Sequence, residues 1–230
     1  MADSISVLSA GAVAPGLMPV LDGFRRAAGC AVAVSFATAP AIAARIAAGE
    51  APDVVIAPES VLDRLAQSGT TAGDARATLG RIGVGLMVRA GAPLPKIATA
   101  EELRGSLLAA ESIVYNRAST GIYLEQLFER WGIKAVLDPK ITRYPDAAAV
   151  IAHVADGTGR EIGFGATTVI VEAAGRGLSF VGPLPEEIQN YTRYDAAVLA
   201  ASRQQARARD LVRHLASQKA RTAFAAAGIH

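Results

Sequence analysis

The stretch Ile42-Ala43-Ala44-Arg45-Ile46-Ala47-Ala48-Gly49-Glu50-Ala51-Pro52-Asp53-Val54-Val55-Ile56 decides the fold. Residues 40–48 read as a helix closed by Gly49, and residues 53–57 as a short strand of apolar residues, bounded by a Pro-Asp entry. Too few residues intervene for that strand to alternate between core and solvent. An apolar run that follows a helix directly reads as a parallel strand covered on both faces. Working outward, the same punctuation recurs. Residues 5–8 form a strand and 15–27 a helix, with Pro15 in its first turn and Gly29 as its stop. Residues 31–36 form the next strand. Residues 58–67 form a helix stopped by Ser68-Gly69.

Residues 70–79 are small and polar and read as a connection. A second series then begins with a strand at 82–88 and the loop Gly91-Ala92-Pro93-Leu94-Pro95. Thr99 and Glu102 have capping-box spacing. Strands at 113–115, 141–144, 161–164 and 178–181 alternate with helices at 120–131, 146–155 and 167–174. In the first of these helices Ile122, Leu124, Leu127, Phe128 and Trp131 share a stripe. The Gly-rich Asp156-Gly157-Thr158-Gly159 follows a helix instead of linking a strand to one, so it reads as a stop and turn, not a phosphate loop. Residues 191–200 are extended, and two helices at 203–217 and 219–227 close the chain.

Three strand-to-helix junctions carry small or hydroxyl residues: Ser9-Ala10-Gly11-Ala12, Thr38-Ala39-Pro40 and Ser119-Thr120-Gly121. Each presents free N–H groups and the positive end of a helix dipole, the chemistry that suits a small anion or carboxylate. Composition narrows the classes. The 230 residues are 51% hydrophobic but only 5% aromatic, and the net charge of +2 gives no argument for nucleic acid. The basic run 203–213 reads as a solvated helix face. The single cysteine, Cys30, excludes an intrachain disulfide and reads as a buried thiol. No apolar run approaches the roughly 20 residues of a membrane span. His153, His214 and His230 form no triad or ligand set, and no nucleotide loop, nucleophile elbow or cofactor-lysine motif is present. No metal and no cofactor are expected. The chain opens Met1-Ala2-Asp3 without a basic or apolar leader. That fits a cytoplasmic protein if Met1 is the native start and a periplasmic one if a signal peptide has been removed.

The stretches 5–13, 34–38 and 42–56, with Gly121-Ile122-Tyr123-Leu124, Phe128-Glu129-Arg130-Trp131-Gly132-Ile133, Glu161-Ile162-Gly163-Phe164 and Val181-Gly182-Pro183-Leu184-Pro185, resemble the molybdate-binding-protein-like branch of the type 2 periplasmic solute-binding proteins. The later half also resembles a sub-branch that includes a bacterial aconitate isomerase. The resemblance implies an α/β, two-lobed type 2 periplasmic-binding-protein fold with a hinged ligand cleft. Lobe 1 would comprise 1–79 plus 195–230, and lobe 2 would comprise 80–194. It also implies a small anionic ligand, an ABC permease as partner if the protein is exported, and no insertion into a membrane.

In that family the first loop usually carries a serine, where this chain has Ala12. The second loop usually carries consecutive serines, where only Thr38 keeps a hydroxyl before Ala39 and Pro40. Charge-assisted hydrogen bonds contribute about 1.5–3 kcal/mol each, so the missing hydroxyls disfavour molybdate. Arg81 and Arg117 could fork onto carboxylates; each could equally be a structural or solvent-facing arginine. The expected ligand set is Gly11, Ala12, Thr38, Ala39, Arg81, Arg117, Ser119, Thr120, Gly121 and Thr167, binding a di- or tricarboxylate in preference to molybdate. Ser119 and Thr120 could instead cap their helix. The alternative function is an isomerase of an unsaturated carboxylic acid working by proton abstraction and return. Its base would be Glu59, at the carboxyl end of the strand 53–57, with Tyr123, Tyr144 and Tyr194 as weaker candidates.

Overall fold

The computed structural model describes residues 4–230; the Met1-Ala2-Asp3 opening lies outside them. Two compact units emerge: residues up to Ile82 with Thr192–His230, and Gly83–Tyr191. The chain therefore passes from one to the other twice.

The first unit begins with β1 (Ser4–Ala10), α1 (Ala14–Ala28), β2 (Ala31–Ala37), α2 (Ala39–Ala47), β3 (Val54–Pro58) and α3 (Glu59–Gln67). β1 pairs in parallel with β2 and β3. All of β3 is buried, as a strand without alternation must be when helices cover both faces. Gly29 ends α1 at φ 60°, where its N–H closes onto the Arg25 carbonyl. Next comes β4 (Thr71–Arg89), 19 residues long. Residues 70–79 are therefore strand, not the connection their composition suggests. Only Ala75 and Leu79 of that segment are fully buried, and so little burial leaves almost no apolar alternation to read.

In the second unit, the last part of β4 pairs antiparallel with β7 (Glu161–Ala166) and β8 (Leu178–Pro183). β5 (Ser112–Asn116) lies parallel to β7 and to β6 (Ile141–Tyr144). The helices are α4 (Ala100–Ala109), α5 (Ser119–Arg130), a short α6 (Lys134–Leu137) that the sequence did not signal, α7 (Ala147–Asp156) and α8 (Thr167–Ala173). Ile113 and Tyr115 pack with Leu124, Leu127 and Phe128 on one face, while Val114 packs with Met87, Val150 and Val154 on the other. That is the period-two alternation of a strand between two helical layers. α7 stops at Gly157, and Glu161 accepts the Gly159 N–H, so the Gly-rich segment is a turn.

β9 (Tyr191–Leu199) returns to the first unit antiparallel to β3, and α9 (Gln205–Leu215) and α10 (Gln218–Ala226) follow it. Phe224 is fully buried and α10 packs on α1. Asp53 holds β1, β3 and the segment after β9 together. Its carboxylate accepts from the Ser6 N–H and hydroxyl, both at 2.8 Å, and from the Ser202 hydroxyl at 2.6 Å. Burial pushes its carboxyl up, but the bonds from Ser202 and Ser6 outweigh this and hold it below the usual aspartate range.

Candidate functional site

In the first unit, β1, β2 and β3 run parallel, so their carboxyl ends share one edge of the sheet. Ala10 is in register with Ala37, which sets the Gly11-Ala12 turn beside Thr38-Ala39. Gly11 opens a 3-10 turn with no side-chain cap, and a Cβ placed on it would meet no described atom within 4 Å. Thr38 occupies the N-cap position of α2, yet its hydroxyl makes no capping bond. Ala39 follows as the first helical residue. Neither Gly11 nor Thr38 is therefore explained by packing or capping.

Glu59 begins α3 at the same edge, behind the N-cap Pro58. Its Oε1 lies 3.3 Å from Arg193 Nη1. β9 runs antiparallel to β3, pairing Pro58 with Tyr194, and this brings Arg193 and Asp195 to Glu59. Arg193 and Asp195 are two apart on a strand and share a face. Asp195 is nearly fully buried and takes Arg76 Nε at 2.8 Å and Nη2 at 2.7 Å. Arg76 also pairs with Asp63 at 2.7 Å, and Arg193 donates to the Thr78 hydroxyl at 2.7 Å. Sequence reasoning missed Arg76, Arg193 and Asp195. The Arg-x-Asp spacing in an extended segment was the available signal.

Arg81 is engaged differently. Its backbone exchanges hydrogen bonds with His230, the last residue, at 2.6 and 3.1 Å.

In the second unit, β5, β6 and β7 also run parallel and end together at Asn116, Tyr144 and Ala166. Asn116 is buried and its Oδ1 accepts the Ala118 N–H at 3.0 Å, while the Arg117 N–H donates to the Tyr144 carbonyl at 2.9 Å. These bonds fix the loop and turn Arg117 outward. Its guanidinium makes no ion pair or hydrogen bond among the described residues. The N-cap of α5 is Ala118 without a side-chain cap, so Ser119 and Thr120 are the first helical residues and not caps. Thr120 is buried, and neither hydroxyl has a side-chain partner among the described residues. Gly121 has a packing role: a Cβ there would stand 2.0 Å from the Asn116 carbonyl oxygen. Only glycine lets the first turn of α5 settle on the end of β5. Thr167 opens α8 behind Ala166, which also lacks a side-chain cap.

Side-chain caps are present at some helices only, and α1, α6 and α9 also begin without one. Thr99, Asp146 and Ser217 cap α4, α7 and α10 with side-chain oxygens. At α2, α3, α5 and α8 no side chain does so. Their first N–H groups, together with the hydroxyls of Thr38, Ser119, Thr120 and Thr167, are donors without a side-chain acceptor, as an anion site requires.

The tyrosines are committed elsewhere. The Tyr123 hydroxyl donates to the Ile188 carbonyl, and burial pushes it up from the usual range. Tyr144 bonds His153 Nδ1 at 2.9 Å. Tyr194 is buried in β9. Among the described residues no cluster of His, Cys, Asp and Glu is placed to hold a metal, and no helix is long and apolar enough to cross a membrane.

The chain has known relatives. The chain is 32% identical over 232 residues to an aconitate isomerase from Pseudomonas sp., a match covering 98% of this chain and 87% of that one. Among solved structures it is similar to the periplasmic molybdate-binding protein of Azotobacter vinelandii (TM-score 0.82, 20% identity, 98% of each chain). It is also similar to the sulfate-binding protein SubI of Mycobacterium tuberculosis (TM-score 0.75, 19% identity, 99% of this chain and 86% of that one). These two establish the mixed α/β, type 2 periplasmic-binding-protein fold. The bacterial extracellular solute-binding protein family matches residues 5–230, and the chain belongs to that family.

Proposed function

We propose that this chain binds a di- or tricarboxylate and isomerises an unsaturated one, aconitate or a close analogue, by proton abstraction and return. The observation that carries this reading is the 32% identity, over nearly the whole chain, to an aconitate isomerase. The donor set supports it. Two groups of uncapped helix N-termini, with Thr38 in one unit and Ser119, Thr120 and Thr167 in the other, suit an acid with several carboxylates. Arg117, outward and without an ion partner, adds a bidentate fork. Ala12, Ala39 and Pro40 supply no hydroxyls for a tetrahedral oxyanion cage.

Glu59 is the proposed base. It removes a proton from the allylic carbon beside a carboxylate and returns one to the far carbon of the double bond, which shifts the double bond. Calorimetry with aconitate, citrate, molybdate and sulfate, followed by a turnover assay on aconitate, tests the reading. Carboxylate binding with turnover that is lost in Glu59→Gln supports it. Submicromolar molybdate affinity without carboxylate binding overturns it. The family match favours a second reading, a binding protein that delivers a carboxylate to an ABC permease without turnover. Carboxylate binding with no turnover would establish that reading instead.

A further inference from the structure

We infer that Arg193 is a catalytic residue, the cation that receives the substrate carboxylate next to the carbon from which Glu59 takes a proton. The inference rests on the isomerase reading and adds a residue to it.

Arg193 and Glu59 are both partly exposed, with side chains 51% and 42% accessible. Their atoms stand 3.3 Å apart, but the pair lacks hydrogen-bond geometry, and the Glu59 carboxylate accepts no hydrogen bond among the described residues. An ordinary surface pair would contribute little; this one has a buried anchor. Asp195, 3% accessible, lies behind the guanidinium with its Oδ1 3.5 Å from Arg193 Nε. That oxygen is enclosed and has no hydrogen-bond partner, while Oδ2 is committed to Arg76. Thr78 holds Arg193 Nη2 from β4 at 2.7 Å. Asp195 and Thr78 thus hold the guanidinium by Nε and Nη2, and Nη1 is left beside Glu59 on a side chain that is half exposed. Both charges therefore stand side by side with bonding capacity to spare.

The chemistry of the proton shift needs this pair. As the C–H bond breaks, Glu59 takes the proton, and the electron pair conjugates through the double bond into the carboxylates. The added negative charge then resides on carboxylate oxygens. A preoriented guanidinium on those oxygens stabilises that state more than the ground state, where less charge is present. The proton returns to the far carbon of the former double bond, so the double bond moves one position, Glu59 is again a carboxylate, and nothing is oxidised or reduced.

The test compares wild type, Arg193→Gln and Arg193→Lys for turnover of aconitate, deuterium exchange from solvent into substrate, and melting temperature. Removing a preorganised stabiliser of this kind costs on the order of a hundredfold in kcat, so Arg193→Gln is expected to lose about that much in both turnover and exchange. Arg193→Lys keeps the charge but not the planar fork and is expected to lose at least roughly tenfold in kcat while remaining folded. Wild-type kcat in either folded variant overturns the assignment of Arg193 and leaves the isomerase reading standing. No aconitate turnover by wild type overturns both.

Discussion

The Asp53 carboxylate accepts both the backbone N–H and the hydroxyl of Ser6, 47 residues earlier, each through Oδ2 at 2.8 Å. With Ser202 on its other oxygen, this one side chain clamps three segments of the first unit. The Pro52-Asp53 step that dominates the sequence is thus a structural clip below the site, not a ligand. Asp53→Ala leaves buried donors unpaired, and urea unfolding should show a loss of about 3 kcal/mol. Its carboxyl is held below the ordinary value in the folded state. The stabilisation is therefore complete above the unfolded aspartate value of about 3.9 and is lost as pH falls below that toward the folded value. Acid titration of stability should be flatter for Asp53→Asn than for wild type in that window.

Gly11 and Gly121 differ in what surrounds them. A Cβ at position 121 meets the Asn116 carbonyl at 2.0 Å, whereas one at position 11 meets nothing described. Gly121→Ala should lower stability by about 1–3 kcal/mol, read as a drop in melting temperature without ligand. Gly11→Ala should leave that temperature unchanged and reduce only the shift produced by a tricarboxylate.

Arg117 carries charge that the fold does not use. Arg117→Gln should keep the apo melting temperature and weaken tricarboxylate binding about tenfold or more, the worth of a charge-assisted bond. Calorimetry checks this; unchanged affinity would return Arg117 to the role of a solvent-facing arginine.

Thr38→Val removes a hydroxyl that caps nothing. Its expected signature is weaker carboxylate binding with an unaltered thermal transition. A lower apo melting temperature would mean that the hydroxyl has a structural role.

The layered architecture was legible because buried strands such as Val54–Pro58 leave uninterrupted apolar runs, and because glycines such as Gly29 and Gly49 mark helix ends. The first half of β4 was not legible, since its small and polar residues carry no period that burial would impose. Gly121 was legible as a loop glycine, but its reason, the approach of α5 to Asn116, is a tertiary contact. The hydroxyls of Ser119 and Thr120 suggested a cap, and only the backbone angles at Ala118 show that the helix begins one residue earlier. Arg193 stayed hidden because its partners Glu59, Thr78 and Asp195 are brought together by the antiparallel return of β9, which composition does not encode.

The most direct measurement is proton NMR of aconitate incubated with the wild-type chain in deuterated buffer. Interconversion of the cis and trans isomers with deuterium entering the methylene position, abolished in Glu59→Gln although aconitate still raises that variant's melting temperature, is the expected result. Aconitate that binds yet neither isomerises nor exchanges would contradict the account and leave a carboxylate-binding protein in its place.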